Sequence, residues 1–270
     1  MTHQTLTIKV QVVIKKLFSF ALVFVLFIAS APVVSANHSW GGYHWARTAN
    51  PFTLKLGDNL NPTWDPILAT TSTDWSQSTV LDTTIVAGKS NPKNCRPTGG
   101  RVEVCNAKYG NNGWLGLAQI WVSGLHITQG VTKMNDTYFN TAFYNTPAWR
   151  QMVVCQEVGH TLGLDHQDEA FGNTNLGTCM DYTSSPSGPP SNGHPNQHDY
   201  DELGIIYAHL DSFTTLRQAI SRNLAKEIES TNLDDSKEWG KRVKGDRKVA
   251  VYERNFGGGD KVFTFVVWAE

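Results

Sequence analysis

The chain has 270 residues, which is enough for one large globular domain or two small ones. Its 23 Lys and Arg residues nearly balance its 24 Asp and Glu residues, for a net charge of −1. This charge gives no reason to expect nucleic acid or an anionic membrane surface as a partner. With 40% hydrophobic and 17% charged residues, the composition excludes a disordered chain.

The N-terminal segment has the organisation of a secretory signal. Three lysines precede the apolar run 17–29, and small residues follow that run up to Ala36. This order predicts a signal peptide over residues 1–36 that is cleaved after Ala36. An uncleaved membrane anchor is the alternative, because the apolar run approaches spanning length. Cleavage removes three lysines and no acidic residue, so the net charge changes from −1 to −4, and we expect a secreted protein that leaves the membrane.

Export bears on the interpretation of the four cysteines. Outside the cell they are expected to form disulfides, and four cysteines can pair in three ways. Cys95 and Cys105 lie in a stretch rich in Gly, Pro and Asn, which favours a local loop closure between them. Cys155 is then left to pair with Cys179. Because no C-x-x-C motif is present, a cysteine-based zinc site has no support.

The first half of the chain reads mainly as strands. Residues 37–60 are aromatic and predict one or two short strands, and a helix is expected to begin at Thr63 or Asp65. Further strands are predicted from β-branched and aromatic content at residues 80–86, 115–122 and 124–134.

The second half is largely helical until its last thirty residues. A helix is predicted to begin at Thr146-Pro147, because Pro is favoured at the first helical position. Apolar residues then follow at helical spacing up to Gly163. A polar loop over 172–195 follows. The remaining predicted elements are a helix over 199–209, an amphipathic helix over 213–228 capped by Ser212, and a β-hairpin of 248–253 with 262–268.

The segment with the most functional information is Cys155-Gln-Glu-Val-Gly-His-Thr-Leu-Gly-Leu-Asp-His166. It resembles the long zinc signature of the metzincin metallopeptidases, H-E-x-x-H-x-x-G-x-x-H, with Gln156 in the position of the first histidine. Downstream, Met180 stands in a segment similar to the metzincin methionine turn. Tyr182 has the offset of the tyrosine that astacins and serralysins place beside the metal. The resemblance covers about residues 40–210.

The physical chemistry of this segment agrees with a catalytic metal site. Gln156 and His160 are one helical turn apart and share a helix face, so both can bind one metal ion. Gly163 can adopt the left-handed conformation that ends the helix and turns His166 back toward it. Three protein ligands leave one position for water, the pattern of catalytic Zn²⁺ rather than structural Zn²⁺. Glu157 is then the general base, and the resemblance adds Tyr182 as a second catalytic candidate.

Gln156 leaves alternatives open. An amide oxygen is a weaker donor than imidazole, so zinc should be held less tightly. His194 or His198, near the methionine turn, is an alternative ligand, whereas His126 and His209 are interpreted as structural or surface residues. The chain is alternatively a degenerate, noncatalytic metzincin that serves as a secreted binding protein, or a surface-associated structural protein.

Together these observations predict an α+β, metzincin-like fold in which a mixed twisted sheet of about five strands packs on two long helices. The predicted organisation is a signal peptide over 1–36, a metallopeptidase domain over 37–212, and a C-terminal appendage of helix and hairpin over 213–270. The predicted function is a monomeric, secreted, zinc-dependent endopeptidase acting on a protein or peptide substrate. An extended peptide is expected to pair with the edge strand 115–122.

Overall fold

The computed structural model describes residues 37–217, 225, 226, 228 and 231–269. The predicted signal peptide therefore lies outside the described residues. Within those ranges, no helix combines the length and the apolar character needed to cross a membrane.

One mixed sheet of nine strands forms the centre of the molecule. The strands are β1 (His44–Trp45), β2 (Phe52–Asn59), β3 (Leu81–Ala87), β4 (Val102–Ala107), β5 (Trp114–Ser123), β6 (His126–Asn135), β7 (Lys241–Gly245), β8 (Val249–Gly257) and β9 (Asp260–Trp268). The helices are α1 (Asp65–Trp75), α2 (Asp136–Phe139), α3 (Pro147–Thr161) and α4 (Gln197–Ile206), with a 3-10 helix at Ser236–Glu238. The α+β class is confirmed, but the predicted number of about five strands was wrong.

The order of strands explains the larger sheet. It runs β3-β2-β4-β6-β5-β9-β8-β7, with β1 paired to β6. Strands β3, β2, β4 and β6 are parallel neighbours, whereas the pairs from β6 to β7 are antiparallel. The β8–β9 hairpin was predicted, and it continues the central sheet rather than forming an appendage, because β9 pairs with β5 from Trp114↔Trp268 to Ser123↔Asp260.

Helix α3 lies at the centre of the hydrophobic core. Its start is as predicted: the Thr146 side chain accepts a hydrogen bond from the Trp149 backbone N–H, and Pro147 occupies the first turn. The helix packs against α1, β5 and β6, and residues 152–161 are all buried. Because α3 is enclosed on several sides, any polar side chain that it carries inward is removed from water.

Local details depart from the sequence prediction at several element boundaries. Helix α1 has Trp64 as its N-cap, without a side-chain capping bond, in place of Thr63 or Asp65. Strands β4 and β7 were not predicted. Residues 213–217, expected to begin an amphipathic helix, form bends and turns, and most of the rest of that predicted helix lies outside the described residues.

Both predicted disulfides are present. Cys95 is bonded to Cys105 and Cys155 to Cys179. The second bond joins α3, which carries two of the candidate ligands, to the segment that leads into Met180.

Candidate metal centre

The C-terminal end of α3 turns at Gly163, as predicted. Leu162 is the C-cap, and Gly163 has a φ of +96°, in the left-handed region that glycine adopts most readily. A Cβ added at Gly163 would lie 2.2 Å from the Tyr43 carbonyl oxygen. Glycine is therefore required here, and the sharp turn brings His166 back against α3.

This turn brings two of the predicted ligands together. His160 Nε2 and His166 Nε2 lie 3.2 Å apart, and both side chains are buried. His160 Nδ1 lies 2.9 Å from the Leu164 carbonyl oxygen, and His166 Nδ1 lies 3.4 Å from Glu169 Oε1. With the Nδ1 protons donated to these acceptors, the two Nε2 lone pairs face one another. This is the second-shell arrangement typical of metal-binding histidines.

Burial also sets the charge of His160. Burial, followed by the proximity of His166, lowers the pKa of His160 well below its ordinary value. The imidazole is therefore neutral at physiological pH. A neutral imidazole is the form that coordinates a metal ion.

The two neighbouring polar residues of α3 are also fully buried. Gln156 Nε2 donates a hydrogen bond to the Cys179 carbonyl oxygen at 2.9 Å. Gln156 Oε1 and both carboxylate oxygens of Glu157 have no hydrogen-bond partner within the described part of the chain. Burial raises the pKa of Glu157 well above its ordinary value, so this side chain retains its proton more tightly than an exposed glutamate does.

These residues fit a zinc ion. A buried polar atom without a partner costs about 1–3 kcal/mol, and the amide oxygen of Gln156 is such an atom on the helix that carries His160. Two imidazole nitrogens are donors that Zn²⁺ accepts, and an amide oxygen would be a weaker third donor. A Cβ added at Gly159 would lie 2.5 Å from Met180 Sδ. Met180 therefore packs directly on the α3 backbone beside His160, as a methionine turn beneath a metal would.

Tyr182 is buried, and the contacts described for it are with residues other than the three predicted zinc ligands. Its ring lies 4.9 Å from the ring of Phe171, and burial raises its pKa. Its ring and hydrogen-bond contacts with the described residues include none of the three predicted ligands. Its place beside the metal stays a prediction.

The two alternative ligands have partners of their own. His194 Nδ1 lies 2.7 Å from Asp74 Oδ2, and its side chain is more than half exposed. The His198 ring stacks on that of His38, with ring centroids 4.9 Å apart. Neither of these two contacts involves the His160–His166 pair.

A strand from the C-terminal part of the chain covers the site. The Phe265 ring of β9 stacks on the His160 ring, with centroids 4.3 Å apart and an interplanar angle of 11°. Through its pairing with β9, β5 has lost the free edge on which an extended peptide was expected to bind. The candidate ligands are therefore enclosed by the protein's own chain.

A second contact joins the same part of the chain to the site. Lys244 of β7 forms ion pairs with Asp165 at 2.6 Å and with Glu169 at 3.0 Å. These two carboxylates flank His166. The hydrogen bond with His166 lowers the pKa of Glu169 to about 2, so Glu169 is charged at physiological pH. Sequence reasoning singled out neither Lys244 nor Phe265, because both contacts depend on long-range strand pairing.

Comparison with known proteins assigns no family to the chain. No protein-family profile matches the chain, and no curated protein sequence matches it. The evidence for a metal site is therefore the burial and the contacts of the residues on and after α3.

Proposed function

We propose that the chain is a secreted zinc-dependent endopeptidase whose site is closed by strands β7–β9. The observation that carries this proposal is the 3.2 Å approach of His160 Nε2 to His166 Nε2, with Glu157 on the same helix. Two disulfides agree with export. The predicted signal peptide supports the same compartment.

Each of the four candidate residues has one role in this proposal. Gln156, His160 and His166 would hold Zn²⁺, which when bound supplies a Lewis acid that activates water. Glu157 follows Gln156 directly, outside the ligand set. Its carboxylate would accept a proton from the attacking water and deliver it to the amine that leaves.

Substrate access requires a rearrangement of the C-terminal strands. A peptide that pairs with β5 must take the position of β9, and the His160 ring must lose its contact with Phe265. Strand displacement is consistent with peptide binding by addition to a sheet edge. In this proposal the described conformation is the closed form of the enzyme.

The Phe265 contact favours a second candidate function. A ring stacked on a ligand histidine, together with an occupied β5 edge, is also what a permanently closed site would have. The second candidate is therefore a secreted zinc-binding protein on the same scaffold that does not hydrolyse peptides.

The test combines zinc content with digestion of casein by the purified chain. Glu157→Gln should lower hydrolysis by about 10²–10⁴-fold. The effect is measured with Glu157→Gln as the single substitution and again in combination with Phe265→Ala, which would open the site. Zinc content should not change. Glu202→Gln is the matched control, since Glu202 is likewise buried with both oxygens unpartnered in the described structure, and it should retain activity.

The outcomes separate the two candidates. Zinc without hydrolysis, even with Phe265→Ala, would support the noncatalytic protein. A chain in which His160→Ala leaves the zinc content unchanged would contradict both candidates. Hydrolysis that survives Glu157→Gln would remove Glu157 from the mechanism.

A further inference from the structure

Three histidines and one aspartate lie close together in a cluster that includes none of the candidate ligands Gln156, His160 and His166. This His44 cluster consists of His44, His126, His209 and Asp211. His44 lies on β1 and His126 begins β6, where the two residues are direct partners in the parallel register. His209 and Asp211 follow α4. Segments far apart in the sequence thus bring the ligand atoms of His44, His126 and Asp211 within 4.8 Å of one another, with His209 beside His44.

The ligand atoms converge in a way that suits one ion. His44 Nε2 lies 3.1 Å from His209 Nε2 and 3.5 Å from Asp211 Oδ1. Asp211 Oδ1 also lies 3.2 Å from His126 Nε2 and 3.8 Å from His209 Nε2. Tetrahedral bonds of about 2.0 Å place neighbouring zinc ligands about 3.3 Å apart. Three of these separations, 3.1, 3.2 and 3.5 Å, are close to that value, and the separation between His209 and Asp211 is longer.

Neighbouring groups orient the cluster from outside. His44 Nδ1 lies 2.8 Å from the Gly42 carbonyl oxygen, so its proton is donated there and its Nε2 lone pair is left for the cluster. Asp211 Oδ2 accepts hydrogen bonds from Arg47 Nη1 at 2.9 Å and from the Arg47 backbone N–H at 3.1 Å. These bonds hold the carboxylate so that Oδ1 faces the imidazoles. Such second-shell partners fix metal ligands in place.

Three Nε2 atoms around one carboxylate oxygen are more than hydrogen bonds require. Neutral imidazole has one N–H, and that of His44 is donated to Gly42. The Nε2 of His44 therefore has no proton for Asp211, yet it lies 3.5 Å from Oδ1. A cation between these atoms accounts for that approach, whereas a hydrogen-bond network accounts only for the other contacts.

We propose that the His44 cluster is a zinc site, separate from α3 and independent of the proposed peptidase function. His44, His126 and Asp211 would supply three ligands. His209, whose Nε2 lies 3.1 Å from His44 Nε2 and 3.8 Å from Asp211 Oδ1, would be the fourth ligand of a structural site. The ion would join β1, the start of β6 and the segment after α4. The His209 side chain is 55% exposed, which gives the ion a route from solvent.

The experiment counts zinc in the chain as it is secreted. Metal-depleted protein is titrated with Zn²⁺ against a chromophoric chelator, and thermal unfolding is followed with and without zinc. The double variant His126→Gln/His209→Ala should bind one zinc per chain fewer than the wild type. Its melting temperature should also rise less on zinc addition. His194→Ala is the matched control, since His194 is a half-exposed histidine paired with Asp74, and it should bind as much zinc as the wild type.

The difference between chains is decisive whether or not α3 binds zinc. The site is supported if the double variant binds one zinc ion per chain fewer than the wild type, whether the number falls from two to one or from one to none. Equal zinc contents and equal melting shifts in wild type and double variant would overturn it. His209→Ala alone, at an exposed side chain, provides the same comparison if the double variant does not fold.

Discussion

The α3 site and the His44 cluster differ in how their candidate metal ligands are placed. The α3 candidates come from one helix and the turn after it, within residues 156–166, and are buried, with Phe265 stacked on His160. The His44 cluster draws on three separated segments, and the His209 side chain is half exposed. A local motif can thus be buried by a distant strand, while scattered histidines form a site that solvent reaches. The distance between candidate ligands along the sequence therefore does not indicate whether solvent reaches them.

The largest expected effect comes from opening the α3 site. Phe265→Ala should lower the free energy of unfolding by about 3–5 kcal/mol. It should also expose His160, because the ring that stacks on it is removed. Phe263→Ala is the control on the same strand, since Phe263 packs on Trp40 and Tyr43. Denaturant unfolding together with zinc release to a chelator measures both effects. Equal zinc release by the two variants would contradict the role of Phe265 as a cover.

Metal removal should distinguish the two sites in the wild-type chain. We expect a chelator to withdraw zinc in two phases, fast from the His44 cluster and slow from α3. The phases should differ by at least about tenfold, since an opening cost of only about 1.4 kcal/mol gives that ratio. The measurement is stopped-flow absorbance of a chromophoric chelator. A single phase that His209→Ala leaves unaltered would contradict the comparison.

Gln156→His should increase the difference between the rates at which the two sites lose zinc. An imidazole is a stronger donor than an amide oxygen, so the slow phase of zinc loss should become slower by about tenfold. The fast phase should be unaffected. Gln151→His is the control on the same helix, because the Gln151 amide is directed to Thr71. Unchanged zinc retention in Gln156→His would mean that residue 156 does not face the metal.

The smallest effect is expected from the ion pairs of β7. Lys244→Met should lower stability by no more than about 1 kcal/mol, because Lys244 is over a third exposed and solvent screens its pairs with Asp165 and Glu169. The loss should shrink at high salt. Lys261→Met, which breaks a surface pair with Glu253, is the comparison variant. Denaturant unfolding at two salt concentrations provides the test, and a loss above 2 kcal/mol would show that Lys244 is more important to closure than we propose.

Local sequence signals predicted the elements that carry the α3 site. The Thr146 cap, the turn at Gly163 and both disulfides follow from short-range chemistry, since each depends on neighbouring residues or on a small set of possible pairings. The β8–β9 hairpin was likewise recognisable from a glycine-rich turn between two apolar runs.

The features that the sequence prediction missed depend on long-range topology. Nothing within β9 specifies β5 as its partner, because many apolar strands could pair with it equally well. The His44 cluster was missed for the same reason. His126 and His209 were interpreted as structural or surface residues, and only the His209–Asp211 spacing offered a weak local signal. Their convergence is a property of the assembled sheet.

The pairing of β5 with β9 has a consequence for the biogenesis of the protein. Among the described strands β9 is the last along the chain, so it is synthesised after all the others. Until it emerges, a folding chain presents the hydrogen-bonding groups of β5 without a partner. An unpaired edge is a template for strands of neighbouring molecules. Chains clipped before residue 260 should therefore associate edge to edge, and exporting the chain unfolded would keep β5 from forming until β9 is available.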